Sequence, residues 1–101
     1  MTEAGVTSIG LSASRNRNSV LLSGSFGVFF PGRLTAYLFD IRGVRIGAVP
    51  LQSVSPLDIV KVQKEIPASP ATARISIHLM DEQGIDRGLL GEASINVDRA
   101  P

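Results

Sequence analysis

The chain has 101 residues, with ten Lys+Arg against nine Asp+Glu, one His and no Cys. That length fits one domain with a modest core and leaves no room for a second. A net charge of +1 argues against a dedicated nucleic-acid binder, which needs a clustered basic surplus, and the missing cysteines exclude disulfides and thiolate metal sites.

Period-two alternation punctuated by turn residues dominates the pattern. Ile9, Leu11 and Ala13 alternate with Gly10 and Ser12 and predict a first strand. Arg15-Asn16-Arg17-Asn18 reads as a polar turn, because Asn tolerates left-handed backbone geometry. Val20, Leu22, Gly24, Phe26 and Val28 then share one strand face, with Leu21, Ser23, Ser25 and Gly27 on the other. Phe30-Pro31-Gly32-Arg33 reads as a tight reversal.

Leu34 to Asp40 is a predicted strand, turned by Ile41-Arg42-Gly43 into another from Val44 to Val49. Pro50 and Pro56 mark an irregular or edge segment, since proline donates nothing to a ladder. Val60, Val62 and Ile66 alternate with Lys61, Gln63 and Glu65, a strand with one wet face. A helix over Leu57–Ile66 is the lesser alternative, because the segment is short and β-branched. Pro67 to Pro70 is a loop, Arg74 to Met80 a strand, Asp81 to Gly88 a turn region and Leu89 to Val97 the last strand. Strands at this spacing without helices between them predict an all-β, antiparallel β-sandwich of about seven strands.

Two segments echo each other. Leu34-Thr35-Ala36-Tyr37-Leu38-Phe39-Asp40 aligns with Ile75-Ser76-Ile77-His78-Leu79-Met80-Asp81 at an offset of 41 residues (34 to 75), and the match continues through Gly43/Gly84 and Gly47/Gly88. Each unit is a strand, then Asp-x-x-Gly, then a strand. Asp hydrogen-bonds the turn backbone and Gly takes the positive φ that the reversal needs. A duplicated hairpin is one reading; convergence of two hairpins on one turn chemistry is the favoured one.

Ser23-Gly24, the run Leu34–Asp40 with Gly43, and the run Ile75–Asp81 with Gly84 together resemble bacterial Ig-like and fibronectin-III-like modules. The pattern looks most like the FxLyD type, in which such a hairpin sits mid-domain. The core Trp and the cysteine pair of true immunoglobulin domains are missing. The resemblance therefore implies a fold, and carries over no functional residues. Modules of this kind serve adhesion, scaffolding and recognition more often than catalysis.

No catalytic, cofactor or metal motif stands out, and no small-molecule substrate is evident. His78 is the only histidine, and no G-x-S-x-G elbow accompanies it. Asp81, Glu82 and Asp86 lack the acid spacing of an EF-hand loop and read as a solvated turn. Asp40 and Asp81, at equivalent hairpin ends, are the pair to consider for glycoside chemistry, although nothing marks a substrate groove. Carbohydrate stacking is disfavoured by one Tyr and no Trp, and Gly24-Ser25-Phe26-Gly27 precedes no helix that would bind phosphate. Arg15, Arg17, Arg42 and Arg45 fall in scattered, solubilising turns.

The sharper signal is a face. In an Ig-like sandwich the echoing strands would be neighbours in one sheet, with Leu34, Ala36, Leu38, Ile75, Ile77 and Leu79 in the core. Alternation then turns Thr35, Tyr37, Phe39, Ser76, His78 and Met80 outward. Tyr37, Phe39, His78 and Met80 are the candidate interaction face, since Tyr and Met are enriched at interfaces. A mean hydropathy of +0.21 with 44% hydrophobic residues excludes a disordered tail and adds weight to an interface.

The expected function is thus a non-catalytic protein–protein interaction or scaffolding module, binding another protein or its own copy. The alternative is a self-associating structural component such as a virion, tail or cell-surface building block. No apolar stretch reaches the ~20 residues of a membrane-spanning helix, and no signal-peptide pattern is read at the N-terminus. The lack of cysteine fits the cytosol and a cysteine-poor exported bacterial domain alike.

Overall fold

Alternation in the sequence becomes alternation of burial. The computed structural model describes residues 10–28, 31–55 and 58–95, which form seven strands and no helix. β1 (Leu11–Asn16) buries Leu11 and Ala13, while β2 (Ser19–Val28) buries Val20, Leu22, Phe26 and Val28 and leaves the residues between them open to solvent. β3 (Gly32–Phe39) and β6 (Arg74–Asp81) bury Leu34, Ala36, Leu38, Ile75, Ile77 and Leu79. β5 (Asp58–Pro67) buries Val60, Val62 and Ile66. That segment is a strand and not a helix, as its β-branched composition favours.

The strands build two antiparallel sheets. β1-β2-β5 form one, and β4 (Arg45–Val54), β3, β6 and β7 (Asp86–Ser94) form the other in the order β4-β3-β6-β7. Their inner faces meet in one apolar core, each fully buried aliphatic side chain contributing about 1.5–3 kcal/mol. The loop between β5 and β6 is pinned at both ends, by Ala68 N–H to Asn18 C=O at 2.9 Å and Ala73 N–H to Phe39 C=O at 2.8 Å. Those bonds fix the β1–β2 turn and the β3–β4 turn at the same end of the sandwich.

Several turns differ from the sequence reading. The β1–β2 ladder runs to the pair Asn16↔Ser19, so the reversal is only Arg17-Asn18, and Arg17, not an Asn, takes the left-handed conformation at φ 58°. Gly32 and Arg33 are not turn residues but the first rungs of β3, because the chain crosses here from one sheet to the other. β6 extends to Asp81 and β7 starts at Asp86, which shortens the turn between them. Pro50 does lie on an edge strand, within β4. Ile9, Phe30, Pro56, Leu57 and Val97 fall outside the described residues.

The echoing segments are neighbours, as expected. β3 and β6 pair antiparallel with Ala36 opposite Ile77, and these two residues are themselves equivalent at the 41-residue offset (36 to 77). The two copies are thus related by a local two-fold passing through that pair. Both turns are closed alike: Asp40 Oδ1 accepts the N–H groups of Arg42 and Val44 at 2.9 and 3.0 Å, and Asp81 Oδ1 accepts those of Gln83 and Ile85 at 2.9 Å each. Gly43 and Gly84 take φ of 86° and 82° in the matching places.

Candidate functional site

The four face residues come together on the outer side of the four-stranded sheet. The register pairs Arg33 with Met80, Thr35 with His78, Tyr37 with Ser76 and Phe39 with Arg74. Tyr37, Phe39, His78 and Met80 are half-buried. Tyr37 lies across its neighbours: its ring meets that of His78 edge-on, with centroids 5.1 Å apart, and its hydroxyl donates to Met80 Sδ at 3.5 Å.

Charge surrounds this patch. The Arg45 guanidinium sits 5.0 Å from the Tyr37 ring centre and that of Arg74 sits 4.4 Å from the Phe39 ring centre, both in cation–π range. Arg74 also pairs with Glu92 at 3.3 Å, and Glu92 accepts the Ser76 hydroxyl at 3.3 Å. The semi-apolar patch is therefore amphipathic, with arginine planes over two of its rings.

His78 Nδ1 stands 3.0 Å from Asp86 Oδ2. Asp86 also accepts the Gly88 N–H at 2.8 Å, and Asp81 Oδ2 receives Arg87 Nε at 2.8 Å. These carboxylates are committed to holding the β6–β7 turn. Among the described residues no three His, Asp or Glu side chains group to hold a metal.

The antiparallel β3–β6 pairing rules out one arrangement that the sequence left open. Asp40 and Asp81 lie at opposite ends of the sheet, since Asp81 pairs with Gly32 and Phe39 with Arg74, so they form no carboxylate pair. Arg15, Arg17, Arg42 and Arg45, scattered in sequence, gather at the β1–β2/β3–β4 end.

The sequence reading missed two features of this surface. Leu89, 46% exposed, pairs with His78 and enlarges the patch. A concavity of about 590 Å³ adjoins Met80 and is lined by Arg33, Thr35, Ser53, Asp81 and Glu82. Alternation placed Leu89 in a strand, but its face depends on irregular β6–β7 pairing that no local pattern encodes. Among the described residues no helix is long and apolar enough to cross a membrane. Comparison of the chain with protein-family models, curated proteins and solved structures finds no match.

Proposed function

We propose that this domain is a non-catalytic protein-interaction module of the Ig-like or fibronectin-III-like kind, binding through the outer face of β4-β3-β6-β7. The observation that carries this reading is the joint placement of Tyr37, Phe39, His78 and Met80 on two paired strands. Tyr37 is held by His78, Met80 and Arg45 before any partner arrives, so little side-chain entropy is left to lose on binding. Rigid aromatic and Met side chains beside arginine match the composition of interface cores. The division of strands into three and four, with the echoing strands adjacent, supports the Ig-like or fibronectin-III-like comparison.

Sedimentation velocity over a wide concentration range, with the wild type and the double variant Tyr37→Ala/Met80→Ser, tests the face. Association that weakens in the variant at unchanged thermal stability supports it, with a second copy as the partner. Association unchanged in the variant removes a second copy as the partner of this face and leaves a different protein as its partner. A clean wild-type monomer sends the search to a different protein.

A further inference from the structure

The two ends of the sandwich differ in charge and in shape. At the β1–β2/β3–β4 end the side chains of β4 and the loop after β5 enclose a groove of about 460 Å³, walled by Leu38, Ile46, Val49, Pro67, Ala68 and Pro70. That is about three times a cavity that holds a benzene-sized molecule. Beside it Ile41, Val44 and Ile46 are 74, 52 and 43% exposed. Arg15, Arg17, Arg42, Arg45 and Arg74 stand at this end against Asp40, Glu65 and Glu92, so it is positive.

At the far end the β6–β7 turn carries Ile85, 55% exposed, between Glu82 and Asp86. Ile85 is fixed in place: its N–H donates to Asp81 Oδ1 and its C=O accepts the Asp81 N–H, each at 2.9 Å. An aliphatic side chain is thus displayed on a pre-shaped turn where Asp81, Glu82 and Asp86 outnumber Arg87, at the opposite end of the sheet from the arginine-bearing turns.

We infer that the domain self-associates head to tail, the β6–β7 turn of one copy seating Ile85 in the β4/β5–β6 groove of the next. Apolar burial supplies the anchor, and the acidic turn meets the positive end of the next copy. The two contact surfaces are different patches at opposite ends, so the contact is heterologous and repeats head to tail from copy to copy, as a ring where its rotation closes and a chain where it does not. It uses none of Tyr37, Phe39, His78 and Met80, so self-association by this route leaves the outer face to a different protein.

The test is sedimentation velocity at about 0.05 M and about 0.5 M NaCl. The wild type should give a concentration-dependent series of species that weakens at the higher salt. Ile85→Ser removes the anchor and Ile46→Glu charges the groove; each alone should weaken association roughly thirtyfold or more. Mixed in equal amounts, the two variants should form a one-to-one dimer and stop, because one intact groove meets one intact turn. Tyr37→Ala/Met80→Ser should associate like the wild type. A monomeric wild type, a mixture with no dimer, or association lost in the outer-face variant overturns the inference; circular dichroism and melting of each variant exclude misfolding as the cause.

Discussion

Lys64 Nζ donates to the carbonyl of Leu51 at 3.1 Å, joining the edge strand of one sheet to the edge strand of the other. Lys64 occupies an inward position of β5, between Val62 and Ile66. Leu51 is the extra residue of a bulge in β4, where Leu34 pairs with Gln52 but Thr35 pairs with Pro50. Inward charge, bulge and edge proline are all devices that keep sheet edges from pairing with other chains. Lys64→Val should complete an apolar stripe on β5 and free this edge. Unfolding stability in urea should stay within about 1 kcal/mol, since one part-buried hydrogen bond is exchanged for apolar surface. Light scattering during heating should rise at lower temperature than in the wild type; an unchanged onset would remove the edge-guarding role.

Arg17 occupies a conformation that an L-residue adopts at a cost. At φ 58° its Cβ crowds the backbone, a penalty of roughly 1 kcal/mol that glycine escapes. Arg17→Gly should raise stability by at most about 0.5 kcal/mol, since the extra entropy of unfolded glycine, about 0.4–1 kcal/mol, offsets most of the relief. Thermal unfolding should shift upward by a few degrees at most. A downward shift would mean that contacts of the Arg17 side chain outweigh the strain.

The strands were legible because their apolar residues repeat with period two: Val20, Leu22, Phe26 and Val28 announce a buried face without reference to any other strand. The echo was legible for the same reason, as Asp-x-x-Gly is a local turn chemistry. Arg17 was not, because a tight ladder from Arg15↔Val20 to Asn16↔Ser19 decides which residue of the turn must bend left-handed. The Lys64–Leu51 bond and the gathering of arginines at one end depend on register and on how two sheets stack. Such relations join residues far apart in sequence, where periodicity carries no signal.

Acid should destabilise the fold through its two matched turns. Asp40 is held below the usual carboxylate value of 3.8 chiefly by the Val44 N–H, with the Arg42 N–H and guanidinium adding to it against desolvation, which acts the other way. Asp81 is held below it chiefly by the Ile85 N–H, with Arg87 and the Gln83 N–H adding against the same opposition. A folded-state value below the unfolded one means that the stabilisation is complete above about pH 4 and is lost as pH falls through the folded value. Denaturant midpoints should therefore decline below about pH 4. Asp40→Asn/Asp81→Asn keeps both oxygen acceptors but not the charges. It should be less stable than the wild type at neutral pH and converge with it in acid; parallel curves would place the acid sensitivity elsewhere.

Thr72 is fully buried, yet its Oγ1 has no hydrogen-bond partner among the described residues. Its backbone is well served: the N–H donates to Ser69 C=O at 3.0 Å and the carbonyl accepts the Arg15 guanidinium. Thr72 borders the groove together with Pro67 and Pro70, and its hydroxyl is removed from water without gaining a partner. Such a group costs about 1–3 kcal/mol. Valine has nearly the same shape, and Thr72→Val should stabilise the domain by about 1 kcal/mol. Thr72→Ser keeps the hydroxyl and loses the methyl, and should destabilise by about 1 kcal/mol. Opposite signs for these two variants in urea unfolding establish that the methyl, not the hydroxyl, holds this loop. Because the Thr72 hydroxyl is buried, Thr72→Val leaves the groove's exposed wall as it is, and head-to-tail association should persist in it; association lost in Thr72→Val at raised stability would count against the groove as the seat of the incoming turn.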